Sequence, residues 1–185
     1  MKVIMALALS LFAIPAMSDQ GSLEARIGVC EGCHGNEGTP ITVDIPILAG
    51  QEYYYLYVQL KDYKAGRRAN AIMSAMVADM SKDEMKALAE HFSSKEWPRV
   101  DSSPDDTLVD AGEGALNAGQ CSQCHSTYQG DSRIPRLAGQ QLTYLKQTME
   151  DFKNKIRLNS AAKGSLMNSF SDSDLESMAH RLSGL

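Results

Sequence analysis

The sequence predicts an all-α protein built as two small helical bundles in tandem, and three observations predict it. The second half of the 185-residue chain repeats the first in register. Apolar residues recur at helical spacing behind recognisable caps. No run of alternating apolar and polar residues marks a strand.

The repeat is carried by three separated blocks. Cys30, Cys33 and His34 return as Cys121, Cys124 and His125, offset by 91. Pro46-Ile47-Leu48-Ala49-Gly50-Gln51 returns as Pro135-Arg136-Leu137-Ala138-Gly139-Gln140, offset by 89. Behind it Tyr55 matches Tyr144, and Asp62-Tyr63 matches Asp151-Phe152. Ser81-Lys82-Asp83-Glu84-Met85 returns as Ser171-Asp172-Ser173-Asp174-Leu175, offset by 90. Drift this small means two copies of one domain with loop differences.

Taken in order, residues 1–18 have the form of a secretory signal peptide. Lys2 is the basic residue, Val3 to Ile14 the apolar stretch, and Ala16-Met17-Ser18 the small-residue cleavage site. The apolar stretch is too short for a comfortable membrane span. The first domain is expected over residues 19–97, a linker over 98–110 and the second domain over 111–185. Pro98, Ser102, Ser103, Pro104 and the acidic Asp101, Asp105 and Asp106 mark the linker. In the first domain, Leu23, Ile27 and Cys30 predict a helix running into the first cysteine motif. Tyr55, Leu56, Gln59, Leu60 and Tyr63 line one side of a helix from Gln51 to Ala65. A loop holding Met73, Met76 and Met80 follows. Ser81 and Glu84 then form a capping box before a stripe of Met85, Leu88, Ala89 and Phe92. The second domain repeats the scheme with a helix over Gln141 to Lys153 and another opened by Ser171, carrying Leu175, Met178 and Leu182.

Cys-x-x-Cys-His is the attachment signal of a c-type haem. Two thiols one turn apart add across the porphyrin vinyl groups, and the adjacent His supplies an axial ligand to the iron. Cys30, Cys33, Cys121 and Cys124 are all the cysteines of the chain, so none remains for a disulfide or a catalytic thiol. Zinc would have to pool two distant pairs and would leave each following His unexplained. A thioredoxin-type pair needs strands around the motif. A covalent haem in each half also supplies apolar core to domains of about 80 residues, which bury little alone. That agrees with only four Phe and one Trp in the chain.

The formal charge is −5, and loss of residues 1–18 removes Lys2 alone among charged residues, leaving −6. An acidic balance argues against nucleic acid as a partner. It suits docking to a basic patch on a redox protein, where charge sets the encounter rate.

The order C-x-x-C-H-G, P-x-L-A-G-Q, a helical Tyr, D-Y-K-A-G, a Met loop and a capped last helix resembles that of class I cytochromes c. Its duplication resembles the diheme cytochromes c of the c4 type over the whole mature chain. The resemblance implies two covalently bound haem c groups, no catalysis, and periplasmic localisation, where haem attachment takes place. It implies single-electron shuttling between respiratory-chain donors and a terminal acceptor such as an oxidase. The partners expected are redox proteins, a membrane oxidase or a dehydrogenase, with peripheral membrane association compatible. Haem attachment falls to Cys30, Cys33, Cys121 and Cys124, and proximal ligation to His34 and His125. Family register points to Met73 as the first distal ligand, with Met76 as the fallback. The second half departs from the pattern: Lys163 stands where Met73 stands, and the nearest Met is Met167. Met167 is the expected ligand there, with Lys163, Asn159 or no protein ligand as rivals. A filled distal site favours electron transfer, whereas an open one would make the second haem a catalytic centre on a small molecule. A fixed electron-transfer subunit of a larger dehydrogenase is a third reading. Arg68 and Arg157, equivalent across the repeat, are either solvated or paired with haem propionates. His91 and His180 are expected to be ordinary helix-face residues.

Overall fold

The computed structural model describes residues 20–100 and 102–185, with side chains from Leu23 onward. The segment read as a signal peptide lies outside the described residues. Nine α-helices are present among them, with no strand and only two isolated bridges, Arg68–Arg157 and Asp131–Ile134.

The first half comprises α1 (Gln20–His34), α2 (Tyr53–Lys64), α3 (Ala71–Val77) and α4 (Lys82–Ser93). The second comprises α5 (Asp106–Ala118), α6 (Ser122–His125), α7 (Leu142–Lys153), α8 (Ala161–Met167) and α9 (Asp172–Ser183). Packing repeats as the sequence does: α2 packs on α3 and α4 and α1 on α4, while α7 packs on α8 and α9 and α5 on α9.

Each cap has a physical cause. Ser81 accepts from Glu84 N–H at 3.2 Å while the Glu84 carboxylate accepts from Ser81 N–H at 2.8 Å, closing the expected capping box. Ser171 and Asp174 do the same at 3.1 and 2.9 Å. The expected Leu56, Tyr63, Met85, Leu88, Ala89, Phe92, Leu175, Met178 and Leu182 lie in the observed core, joined by residues outside the expected stripes. Leu56, Val77, Met85, Leu88 and Phe92 cluster in the first half, and Leu145, Phe152, Met167, Leu175, Met178 and Leu182 in the second.

Two expectations differ from what is found. The segments before the capped helices are not plain loops: α3 and α8 form there, capped by Asn70 and Ser160. The segment 98–110 includes the first turn of α5, because Asp105 accepts from Thr107 N–H at 2.9 Å and starts a helix. A run of acidic residues suits a helix N-terminus as well as a linker.

The halves face each other about a pseudo-two-fold axis, which the repeated L-A-G-Q motif builds. Gln140 accepts from Ile47 N–H at 2.9 Å and donates to Ile47 O at 3.1 Å. Gln51 accepts from Arg136 N–H at 2.8 Å and donates to Arg136 O at 3.0 Å. Each glutamine is buried and clamps the backbone of the opposite half at the same motif position. Such buried amide pairs fix one register, because an unpaired partner would be costly.

Candidate haem sites

The first motif lies at the end of one unbroken helix. Cys30, Cys33 and His34 close α1, and the chain leaves through Gly35 at φ 75°. A Cβ at Gly35 would overlap the Thr39 carbonyl oxygen, so glycine is required for this exit. His34 is buried and its Nδ1–H donates to Pro46 O at 3.0 Å. That bond fixes the tautomer and leaves Nε2 with a free lone pair for a metal. Pro46 precedes Ile47, which Gln140 of the opposite half holds. The orientation of His34 is therefore supported across the interface.

The second motif lies on a broken helix. α5 ends at Ala118, Gln120 turns through φ 52°, and α6 carries Cys124 and His125. His125 is half-buried, and its Nδ1 is enclosed without a hydrogen-bond partner among the described residues. Burial, followed by the nearby Lys163 ammonium, lowers its pKa to about 4, against a smaller opposing effect of the Pro135 carbonyl. A neutral imidazole is the form that ligates a metal.

All four cysteines are free, with Cys33 and Cys124 exposed. Burial pushes the Cys30 and Cys121 thiols up, the opposite of what an activated redox thiol needs. Among the described residues no three His, Cys, Asp or Glu side chains gather as a metal cage, so the two pairs do not pool into a zinc site.

The interface carries a second signature. Arg68 and Arg157 are both buried. Arg68 donates to Tyr144 Oη at 2.9 Å and to Gln59 Oε1 at 3.1 Å. Arg157 donates to Tyr55 Oη at 3.3 Å and to Gln59 Oε1 at 2.8 Å. Neither has a carboxylate partner among the described residues. Two buried cations without an anion are costly, and a haem propionate is a group that would supply one. A cleft of about 250 Å3 opens beside Arg157, lined also by Tyr55, Gln59, Asp62, Pro135 and Lys163. The solvated reading of the two arginines does not hold. The residues therefore fit the group: paired thiols, a tautomer-fixed or unpartnered imidazole, and buried cations.

The distal candidates separate. Met73 is partly buried and packs on the first core cluster together with Cys30. Met76 is 42% exposed, so the fallback is not supported by its placement. Met167 lies in the second core cluster, at the α8 position that Val77 holds on α3, and Lys163 holds the position of Met73. Asn159 is engaged elsewhere, donating to Asp62 Oδ2 at 2.8 Å. His180 Nδ1 accepts from Asp105 N–H at 2.8 Å, and His91 packs edge-on to Phe92, so both serve the scaffold. The reciprocal glutamine clamps were not foreseen. Their signal was the Gln repeated at the end of both L-A-G-Q blocks.

Two helical bundles, each ending its first helical arm in Cys-x-x-Cys-His and turning a buried arginine to the other, define a diheme cytochrome of the c type. Cytochrome c4 of Thiocapsa roseopersicina is 34% identical to the chain over 159 residues, covering 80% of this chain and 81% of the relative. The crystal structure of reduced recombinant cytochrome c4 from Pseudomonas stutzeri shares the fold with a TM-score of 0.79 at 26% identity, over 89% of this chain and 97% of that one. The chain belongs to the cytochrome c4 family, the diheme class I cytochromes c, and is an electron carrier with two covalent haem c groups rather than an enzyme. A Stutzerimonas stutzeri protein named thiosulfate dehydrogenase electron acceptor is 28% identical over 173 residues, covering 86% of this chain and 80% of its own. No family model matches the chain.

Proposed function

We propose that this chain is an exported, periplasmic shuttle that takes single electrons from respiratory-chain donors and delivers them to a terminal acceptor such as an oxidase. The observation that carries the reading is the clamped interface. Gln51 and Gln140 hold the two halves in one register, and Arg68 and Arg157 lie side by side within it. An electron entering one half then has a fixed route to the other. The haem irons supply the redox change. The chain's own residues attach, orient and insulate them. Cys30 and Cys33, with Cys121 and Cys124, hold the groups. His34 and His125 would supply one iron ligand in each half, and Met73 would supply a thioether ligand in the first. Arg68 and Arg157 neutralise the propionates. A thioether at Met73 favours ferrous iron and raises the first potential.

The relative named as an electron acceptor of thiosulfate dehydrogenase supports a dehydrogenase as one class of donor. No described helix is long and apolar enough to cross a membrane, so delivery to a membrane oxidase would occur by docking.

The test is stopped-flow mixing of the ferrous holoprotein with oxidase-bearing membranes. Rapid reoxidation coupled to oxygen uptake is expected, slowing as salt rises. Reoxidation no faster than in buffer alone would refute delivery to an oxidase.

A further inference from the structure

We propose that Lys163 is the distal axial ligand of the second haem, so that the two irons of one chain have different ligand sets, His34 with Met73 and His125 with Lys163. The proposal rests on haem attachment at Cys121 and Cys124, which a haem count tests separately.

Register carries the assignment. The exposure pattern from Ala71 to Asp79 repeats residue by residue from Ala161 to Ser169. Asn70 caps α3 through Met73 N–H at 2.9 Å, and Ser160 caps α8 through Lys163 N–H at 3.3 Å. Each cap lies the same distance before its capping-box serine, Ser81 or Ser171. The residue that lengthens the second loop is absorbed upstream of the cap. There Leu158 N–H donates to Arg67 O at 2.9 Å and Asn159 reaches Asp62. The insertion therefore leaves α8 unshifted, and Lys163 occupies the place of Met73.

Packing excludes the rival. Met167 is 9% exposed and Val77, its counterpart, is 0% exposed. Met167 fills the second core with Phe152, Leu175 and Met178. To reach an iron it would have to leave that core and empty a Met-sized site. Lys163 needs no such move. Its side chain is half-buried, its Nζ lies 5.5 Å from the centroid of the Phe152 ring, and it has no carboxylate partner among the described residues. It lies within electrostatic reach of His125. On ligation the ammonium proton leaves to solvent, and the nitrogen lone pair forms the bond to iron. No electron is transferred in that step.

The experiment uses the ferric holoprotein and variants checked first for two haems per chain by pyridine haemochrome. Wild-type protein is expected to show the thioether-to-iron charge-transfer band at the amplitude of one haem, with both irons low-spin. Lys163→Met should double that band and bring the second potential up towards the first. Met167→Val, which copies the first half, should leave spectrum and potentials unchanged. A wild-type band at the amplitude of two haems, halved in Met167→Val, would overturn the proposal in favour of Met167. A high-spin second haem in wild type would overturn it in favour of an open site. A count of one haem in wild type would overturn it together with attachment at Cys121 and Cys124.

Discussion

In the first half Cys30, Cys33 and His34 ride one continuous helix, and the sharp turns fall on Gly35, Gly38 and Gly66. In the second half the equivalent helix is broken between α5 and α6. The equivalent turns fall on Ser126, Tyr128 and Lys155, all held at positive φ. Equivalence is read from shared hydrogen bonds. Leu48 and Ala49 N–H donate to Gly38 O, as Leu137 and Ala138 N–H donate to Tyr128 O. Gly66 N–H donates to Tyr63 O, as Lys155 N–H donates to Phe152 O. A left-handed conformation costs a residue with a Cβ about 1–2 kcal/mol. The second half therefore makes these turns at a local cost that the first half avoids. What preserves them is the surrounding hydrogen-bond frame, which over-determines the backbone. The proximal ligands differ in the same sense: His34 Nδ1–H donates to Pro46 O at 3.0 Å, while His125 Nδ1, beside the equivalent Pro135 carbonyl, makes no well-formed bond among the described residues. Copies of one domain hold their shared fold through packing and caps, and diverge where the iron's surroundings are set.

The strongest way to break the comparison is to remove attachment from one half at a time. Cys30→Ser with Cys33→Ser, and separately Cys121→Ser with Cys124→Ser, should each leave one haem by intact mass. Each should abolish the thermal transition of the altered half, because the haem is part of a small core. A variant that keeps both haems would refute the site assignment.

Glycine contacts give the next effects. Gly112→Ala places a Cβ on the Ser177 carbonyl oxygen where α5 crosses α9. Destabilisation of about 3 kcal/mol is expected from such overpacking, read by denaturant unfolding. Gly114 on the same helix meets nothing within 4 Å. Gly114→Ala should therefore stabilise by about 0.5–1 kcal/mol. Equal effects of the two would show that the α5–α9 crossing is looser than described.

The clamps sharpen the contrast between proximal ligands. Gln140→Leu strands Ile47 N–H and C=O, and Gln51→Leu strands those of Arg136. Each should cost about 2–4 kcal/mol, from two buried groups left unpaired. Gln140→Leu should also move the first haem's potential more than Gln51→Leu moves the second's. His34 is tied to the clamped segment by a well-formed bond to Pro46, whereas His125 meets the equivalent Pro135 carbonyl only loosely. Equal shifts in a redox titration would remove the asymmetry.

A smaller effect than at the clamps is expected at Ser126. Ser126→Gly should stabilise by about 1 kcal/mol by relieving its positive φ. Gly35→Ala should destabilise by more than that, since a Cβ there meets the Thr39 carbonyl oxygen. A shift in melting temperature of the same sign for both would show that the two turns are not equivalent.

The sequence by itself determined what depends on neighbours along the chain. The two Cys-x-x-Cys-His motifs, the capping boxes at Ser81 and Ser171, the stripe of Met85, Leu88 and Phe92, and the tandem repeat all rest on spacings of a few residues or on self-similarity. Such patterns survive without knowledge of the fold. The tertiary structure decided the rest. The pairing of Gln140 with Ile47 joins residues 93 apart in sequence, and no periodicity encodes it. The extra residue of the second distal segment could have shifted α8 or been taken up before it. Only the Leu158–Arg67 and Asn159–Asp62 contacts, made to the opposite half, settle that it is taken up before it. On that register Met167 belongs to the core and Lys163 stands in the place of Met73. A count along the chain fixes distance in sequence, whereas which side chain is buried depends on what the opposing half presses against it.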